Sequence, residues 1–79
     1  MLKLRIVSPE RVVFNGEVEN VTVPGTLGSF EILTDHAPII SSLEEGRVEY
    51  TTQEGRQQMQ IKSGFVEVKK NEVSVCVEM

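Results

Sequence analysis

Asp35 and His36 are the only aspartate and the only histidine of the chain, and they stand side by side in the stretch VPGTLGSFEILTDHAPII, residues 23 to 40. Ser41 and Ser42 follow directly. A carboxylate, an imidazole and a hydroxyl are the parts of a nucleophilic triad, in which the acid orients the ring and the ring takes the hydroxyl proton. The spacing works against that chemistry. Neighbours on an extended chain point to opposite faces, so Asp35 is badly placed to orient the ring of His36. A general base also needs a concave pocket, which a small sandwich rarely offers. One histidine with scattered carboxylates lacks the convergent spacing of a metal site. The single cysteine, Cys76, allows neither an intramolecular disulfide nor a multi-cysteine metal centre. No catalytic, cofactor-binding or metal-binding residue is expected.

The elements that carry these residues are short and alternating. Leu2, Leu4 and Ile6 alternate with Lys3 and Arg5; Val48 and Tyr50 with Arg47, Glu49 and Thr51; Met59 and Ile61 with Gln58, Gln60 and Lys62. Val66 and Val68 alternate with Glu67 and Lys69, and Val73, Val75 and Val77 with Ser74, Cys76 and Glu78. A period of two marks strands with one buried and one wet face. Turn residues separate them: SPE at 8–10, PGT at 24–26, EEG at 44–46, QEG at 53–55 and KKN at 69–71. Strands so punctuated predict an all-β fold, a small two-sheet antiparallel β-sandwich formed by residues 1–79 as one domain, with essentially no helix. Asn15-Gly16 reads two ways. It suits a tight hairpin, but Val18, Val21 and Val23 slip to a spacing of three, which needs a bulge or one long strand bent at a corner.

Composition narrows the function classes. Twelve acidic and eight basic residues leave a net charge of −4 with no basic block, which argues against nucleic-acid binding. The longest uncharged run, Asn20 to Phe30, is eleven residues and holds Pro24, Gly25 and Gly28. A spanning helix needs about 20 apolar residues, so no direct membrane insertion is expected. The N-terminal residues lack the apolar run of a signal peptide, and a reducing compartment such as the cytoplasm suits one cysteine.

VTVPGTLGSFEILTDHAPIISSLEEGRVEY resembles the N-terminal β-sandwich of the epsilon subunit of F-type ATP synthases: a PG turn, a Gly-rich loop, a short strand, then His-Ala-Pro and two aliphatics. LRIVSPERVVFNGEVENVTVPG is similar to the family's first strands, and SGFVEVKKNEVSV to its closing hairpin. The resemblance implies a non-catalytic rotor subunit that bridges the gamma subunit of the central stalk to the ring of c subunits. It helps couple proton or sodium flow to ATP synthesis or hydrolysis. By position it implies a c-ring contact at Thr26, Leu27, Gly28, Ser29, Phe30 and Glu31, and a gamma contact that includes Ser8, His36 and Ser41. Ile39 and Ile40 join the gamma set because consecutive aliphatics on a strand turn one side chain outward, and such a residue suits the apolar centre of a permanent interface. The implied place is the cytoplasmic face of a bacterial inner membrane.

Three departures from the family pattern bear on this. The two-helix hairpin that commonly follows the last strand is not in this sequence, so the inhibition and ATP binding associated with it are not carried over. Ser29 stands where an acidic residue is common, with Glu31 on the same face of an extended chain. Glu31 and Asp35 replace family glycines, and Asp accepts the left-handed backbone region better than Glu does. A rival reading is a lipoyl- or biotinyl-type carrier with Lys70 as the modified hairpin lysine. Its flanks differ, since Lys69 and Asn71 occupy positions that carriers fill with Met, Asp or Ala.

Overall fold

The computed structural model describes residues 1–79 and contains nine strands and no helix. They are β1 Leu2–Val7, β2 Val12–Val18, β3 Asn20–Gly25, β4 Gly28–Ile32, β5 Ile39–Leu43, β6 Gly46–Thr52, β7 Gly55–Ile61, β8 Ser63–Lys69 and β9 Glu72–Glu78. Five strands form one layer in the order β2-β1-β9-β8-β5, and four form the other in the order β4-β3-β6-β7. A single pairing, Gly25 with Leu43, bridges the layers, so the hydrogen-bonded surface curls round as a half-barrel.

Alternation builds the core. Leu2, Leu4, Ile6, Val66, Val68, Val73, Val75 and Val77 from the five-stranded layer meet Val21, Val23, Ile32, Val48, Tyr50 and Ile61 from the other, all buried in one cluster. No polar or charged side chain is buried and no buried side-chain nitrogen or oxygen lacks a partner, so no part of the interior is spent on polar chemistry. Phe14 and Tyr50 join the layers at their open side, ring centroids 4.6 Å apart. Burial pushes the Tyr50 phenol above its ordinary pKa because the charged form would lose water.

Asn15-Gly16 lies inside β2, with Asn15 opposite Arg5 and Gly16 opposite Leu4, so the hairpin reading of that dipeptide does not hold. The bent strand is the observed solution. The chain leaves β2 at Val18, turns at exposed Glu19 and continues as β3 in the other layer, which keeps Val18, Val21 and Val23 all inside. The Glu19 N–H donates to the Thr51 carbonyl at 2.8 Å and fixes the corner. Lys62 makes a second such corner between β7 and β8, its N–H donating to the Glu78 carbonyl at 2.7 Å. Neither corner has a turn dipeptide to announce it. The expected antiparallel pairing holds with one exception: β1 lies parallel to β9, from Lys3 opposite Glu72 to Val7 opposite Cys76. Nothing in an alternating pattern sets strand direction, and these two strands share no hairpin that would impose it.

Gly64 sits where β8 crosses closest to β9, facing Val77 on one side and Leu43 on the other. A Cβ there would run into the Cys76 carbonyl and come within 3.1 Å of the Val77 Cα. Those are backbone atoms, which cannot rotate away. Gly64→Ala should therefore destabilise the domain by about 3 kcal/mol, read as a lower urea midpoint at unchanged m-value.

Candidate functional site

The residues that suggested a triad are held apart. Asp35 donates its backbone N–H to Asn71 Oδ1 at 2.7 Å, and its Oδ1 accepts from Asn71 Nδ2 at 3.2 Å. The His36 ring places Nδ1 2.8 Å from the Ala37 carbonyl, so the proton lies on Nδ1 in that contact. Ser41 Oγ donates to the Ser42 carbonyl at 3.1 Å, and Ser42 Oγ pairs with Thr26 Oγ1 at 3.1 Å. No chain of hydrogen bonds runs from Asp35 through His36 to a serine. His36 lines none of the five surface depressions, and no three His, Cys, Asp or Glu side chains converge where a metal ion could be held.

What the strands do create is one largely apolar row on the outer face of the five-stranded layer. Across the five-stranded layer the register lines up Val12, Val7, Cys76, Phe65 and Ser42 in one row. The adjacent row is Asn15, Arg5, Ser74, Glu67 and Ile40, which sets Ile40 diagonal to Phe65. Ile40 is 74% exposed, Phe65 50% and Val12 48%, large values for apolar side chains in the middle or at the start of strands. Val7, Phe65 and Cys76 line a shallow groove with Ser8 and Pro9 at its end. The outer face of the four-stranded layer differs entirely. There Glu31, Thr22, Glu49 and Gln58 form a row, with Arg47 and Arg56 each 3.9 Å from the Glu49 carboxylate.

The sequence-derived gamma set spreads over the five-stranded layer and the loops at its ends. Ile40 is on the apolar face. Ile39 turns inward, half-buried against the core, and Ser41 shares its inward phase. Ser8 closes the β1–β2 turn, its Oγ donating to the Arg11 carbonyl at 3.3 Å, at the end of the groove. His36 lies at the opposite end, in the loop between β4 and β5. Sequence reasoning left out Val7, Val12 and Phe65. Phe65 had a usable signal: Val66 and Val68 face inward, so the phase of β8 turns Phe65 outward with Glu67.

The second sequence-derived set, Thr26 to Glu31, forms the tip and one arm of the β3–β4 hairpin. Gly25 lets the arms close, since a Cβ there would stand 2.7 Å from the Gly28 carbonyl and 2.9 Å from the Phe30 ring. Gly28 takes φ 126, a region open to glycine. Leu27 is wholly exposed between them. Ser29 and Glu31 both face solvent as expected for an extended arm, while Phe30 packs half-buried on the core opposite Val23. Thr26 N–H donates to the Ser42 carbonyl at 3.1 Å, so this tip adjoins the apolar row at Ser42. Of the two positions where the resemblance implied glycine, Asp35 takes φ 64 and Glu31 keeps a strand conformation, in line with what each side chain tolerates. Lys70, also left-handed at φ 58, occupies the β8–β9 turn.

The family model described as "ATP synthase, Delta/Epsilon chain, beta-sandwich domain" matches residues 1–79. The ATP synthase epsilon chain of Leptospira interrogans is 38% identical over 77 residues, which are 98% of this chain and 61% of that protein. The epsilon chain of Carboxydothermus hydrogenoformans is 45% identical over 74 residues, 94% of this chain and 55% of that protein. The chain thus spans little more than half the length of these relatives. A chain of the Euglena gracilis mitochondrial ATP synthase (OSCP/F1/c-ring, rotational state 1) superposes with a TM-score of 0.91 at 21% identity, covering 99% of this chain and 51% of that one. A chain of the Tetrahymena thermophila mitochondrial ATP synthase central stalk and c-ring gives 0.83 at 14% identity, covering 99% and 63%. At those identities the superpositions establish the fold. The full-length family match displaces the carrier reading of Lys70.

Opposite phases of adjacent isoleucines make a direct test. Ile40→Asp should change stability by no more than about 0.5 kcal/mol, as an exposed substitution, whereas Ile39→Asp should cost several kcal/mol, roughly 3 or more, by driving a carboxylate against the core. Thermal melts of the two variants side by side would show the difference.

Proposed function

Because the chain belongs to the β-sandwich family of ATP synthase delta and epsilon chains, we propose that it is a non-catalytic rotor element joining the gamma subunit of the central stalk to the ring of c subunits. The gamma subunit docks on the apolar outer face of the five-stranded layer, with Ile40, Phe65 and Val7 at the centre and Ser8 and His36 at its two ends. The β3–β4 hairpin, with Leu27 at its tip and Ser29 and Glu31 on its outer side, meets the c-ring. The place of work is the cytoplasmic face of a bacterial inner membrane, where the assembly helps couple proton or sodium flow to ATP synthesis or hydrolysis.

The observation that carries the proposal is the asymmetry of the two outer faces. Both layers present solvent-facing rows built by the same alternation, yet one holds Val12, Phe65 and Ile40 and the other Glu31, Glu49, Gln58 and two arginines. A contiguous exposed apolar patch rimmed by polar residues marks an interaction surface, and stable interfaces are most apolar at their buried centre. Arg5, Ser74 and Glu67 supply the polar surround here. The family supports a partner within an ATP synthase, and the solved assemblies whose chains share the fold are an OSCP/F1/c-ring complex and a central-stalk and c-ring complex. The mechanical task suits the build. A core without buried polar groups, closed by strands on both layers, has no hinge, so torque applied at one face reaches the other without internal slip.

Mixed with the cognate gamma subunit, the chain should elute from a sizing column as one complex. Phe65→Glu and Ile40→Asp should each weaken that complex by about a hundredfold, the effect of burying an uncompensated charge at an interface centre, while Leu27→Asp should leave gamma binding intact and impair docking of the pair onto c-rings. Two separately eluting species for the unmodified proteins would contradict the proposal.

A further inference from the structure

We infer that Asn71 is a positioning residue for the gamma-docking face, acting on it through Asp35. This rests on the docking role proposed above. The loop of residues 33–38 carries the chain from β4 in one layer to β5 in the other. Its only backbone bond is internal, His36 N–H to the Leu33 carbonyl at 3.1 Å. Its only hydrogen bonds to the rest of the fold are the two that Asp35 makes with the Asn71 carboxamide, at 2.7 and 3.2 Å. Asn71 is in turn fixed to the sheet, because its backbone carbonyl accepts from the Lys3 N–H at 2.8 Å. A strand within the five-stranded layer thus holds the turn, and the turn holds the loop.

The clamp falls on the one left-handed residue of this loop. Asp35 stands at φ 64, a conformation an L-residue adopts only with local support. Accepting from the side chain and donating from the backbone of the same residue ties both the Asp35 torsion and its position to Asn71. From there the path to the docking face is short and stiff. Ala37 precedes a proline and is confined to extended conformations; Pro38 follows, and Ile40 is the first outward residue of β5. Pro38 and Ile40 line a shallow depression with Glu67 and Lys69 at the edge of the apolar face. Releasing Asp35 therefore lets His36 and Pro38 sample directions that do not fit a partner, and binding must restore the order at an entropic cost.

The pair is suited to an exchange of its polarity. Asn71→Ala removes both bonds. Asn71→Asp removes the donor and sets two carboxylates against each other. In the double variant Asp35→Asn/Asn71→Asp the amide and the carboxylate trade places, and Asn tolerates the left-handed backbone as well as Asp does, so both bonds return. Gamma affinity would be measured by titration calorimetry well below the melting temperature of each variant, alongside amide hydrogen exchange of the free chains. Asn71→Ala should bind gamma about fivefold more weakly and Asn71→Asp more weakly still, as expected for losing one or two exposed hydrogen bonds. The double variant should return to within about twofold of the unmodified chain, and the Asp35 amide should exchange faster in the single variants only. Unchanged affinity in both single variants, or an Asn71→Asp loss that the exchange does not repair, would overturn the inference. If the unmodified chain binds no gamma, the docking role is what fails, and the exchange rate of the Asp35 amide then decides the clamp: unaltered in Asn71→Ala, it is refuted.

Discussion

The burial of two valine-rich sheet faces against each other is the constraint on which everything else in this molecule depends. Side chains on a regular strand alternate, and β8 has no bulge, so once Val66 and Val68 are committed to the core, Phe65 and Glu67 have no choice but solvent. The same holds for Ile40 once Ile39 and Leu43 face inward. The composition of the outer faces is therefore decided by the packing of the inner ones. A register slip of one residue would put Phe65 into the core and Val66 outside, and would exchange the character of the two surfaces at once.

Two one-residue corners make that packing possible in a chain of 79 residues. At Glu19 and at Lys62 the chain passes from one layer to the other with no loop, and each corner residue finds a backbone acceptor on a neighbouring strand. The consequence is a body with few loose parts. Only the 33–38 loop and the two-residue Glu44–Glu45 link cross between layers as irregular segments. That the loop is pinned by one asparagine is of a piece with the rest: a part that transmits torque has to present its contacts in a set direction.

Much of this was legible in the residues. Alternation placed most strands and the core rows, the turn signals at 8–10, 24–26, 44–46, 53–55 and 69–71 each overlap a break between strands, and one outward isoleucine of the Ile39–Ile40 pair was foreseen. Asp35 takes the left-handed position that its short side chain tolerates better than Glu31 would. The parts that were not legible are those where distant segments meet. The parallel pairing of β1 with β9 leaves no mark on either strand, and the Lys62 corner looks like ordinary alternation continued. The apolar row of Val12, Val7, Cys76 and Phe65 exists only when the β1–β2 and β8–β9 pairs, far apart in sequence, are laid side by side. Asn71 looked like nothing more than a turn residue for the same reason, since its partner lies 36 positions away.

The most direct test of a docking face on the five-stranded layer is amide hydrogen exchange of the whole chain, free and bound to the gamma subunit. Protection gained in β5, in β8 and β9 around Phe65 and Cys76, and where β1 ends and β2 begins, with β6 and β7 unchanged, is the expected pattern. Protection concentrated on β6 and β7, across the Glu49–Gln58 row, would contradict it, because the polar layer and not the apolar one would then be the gripping surface.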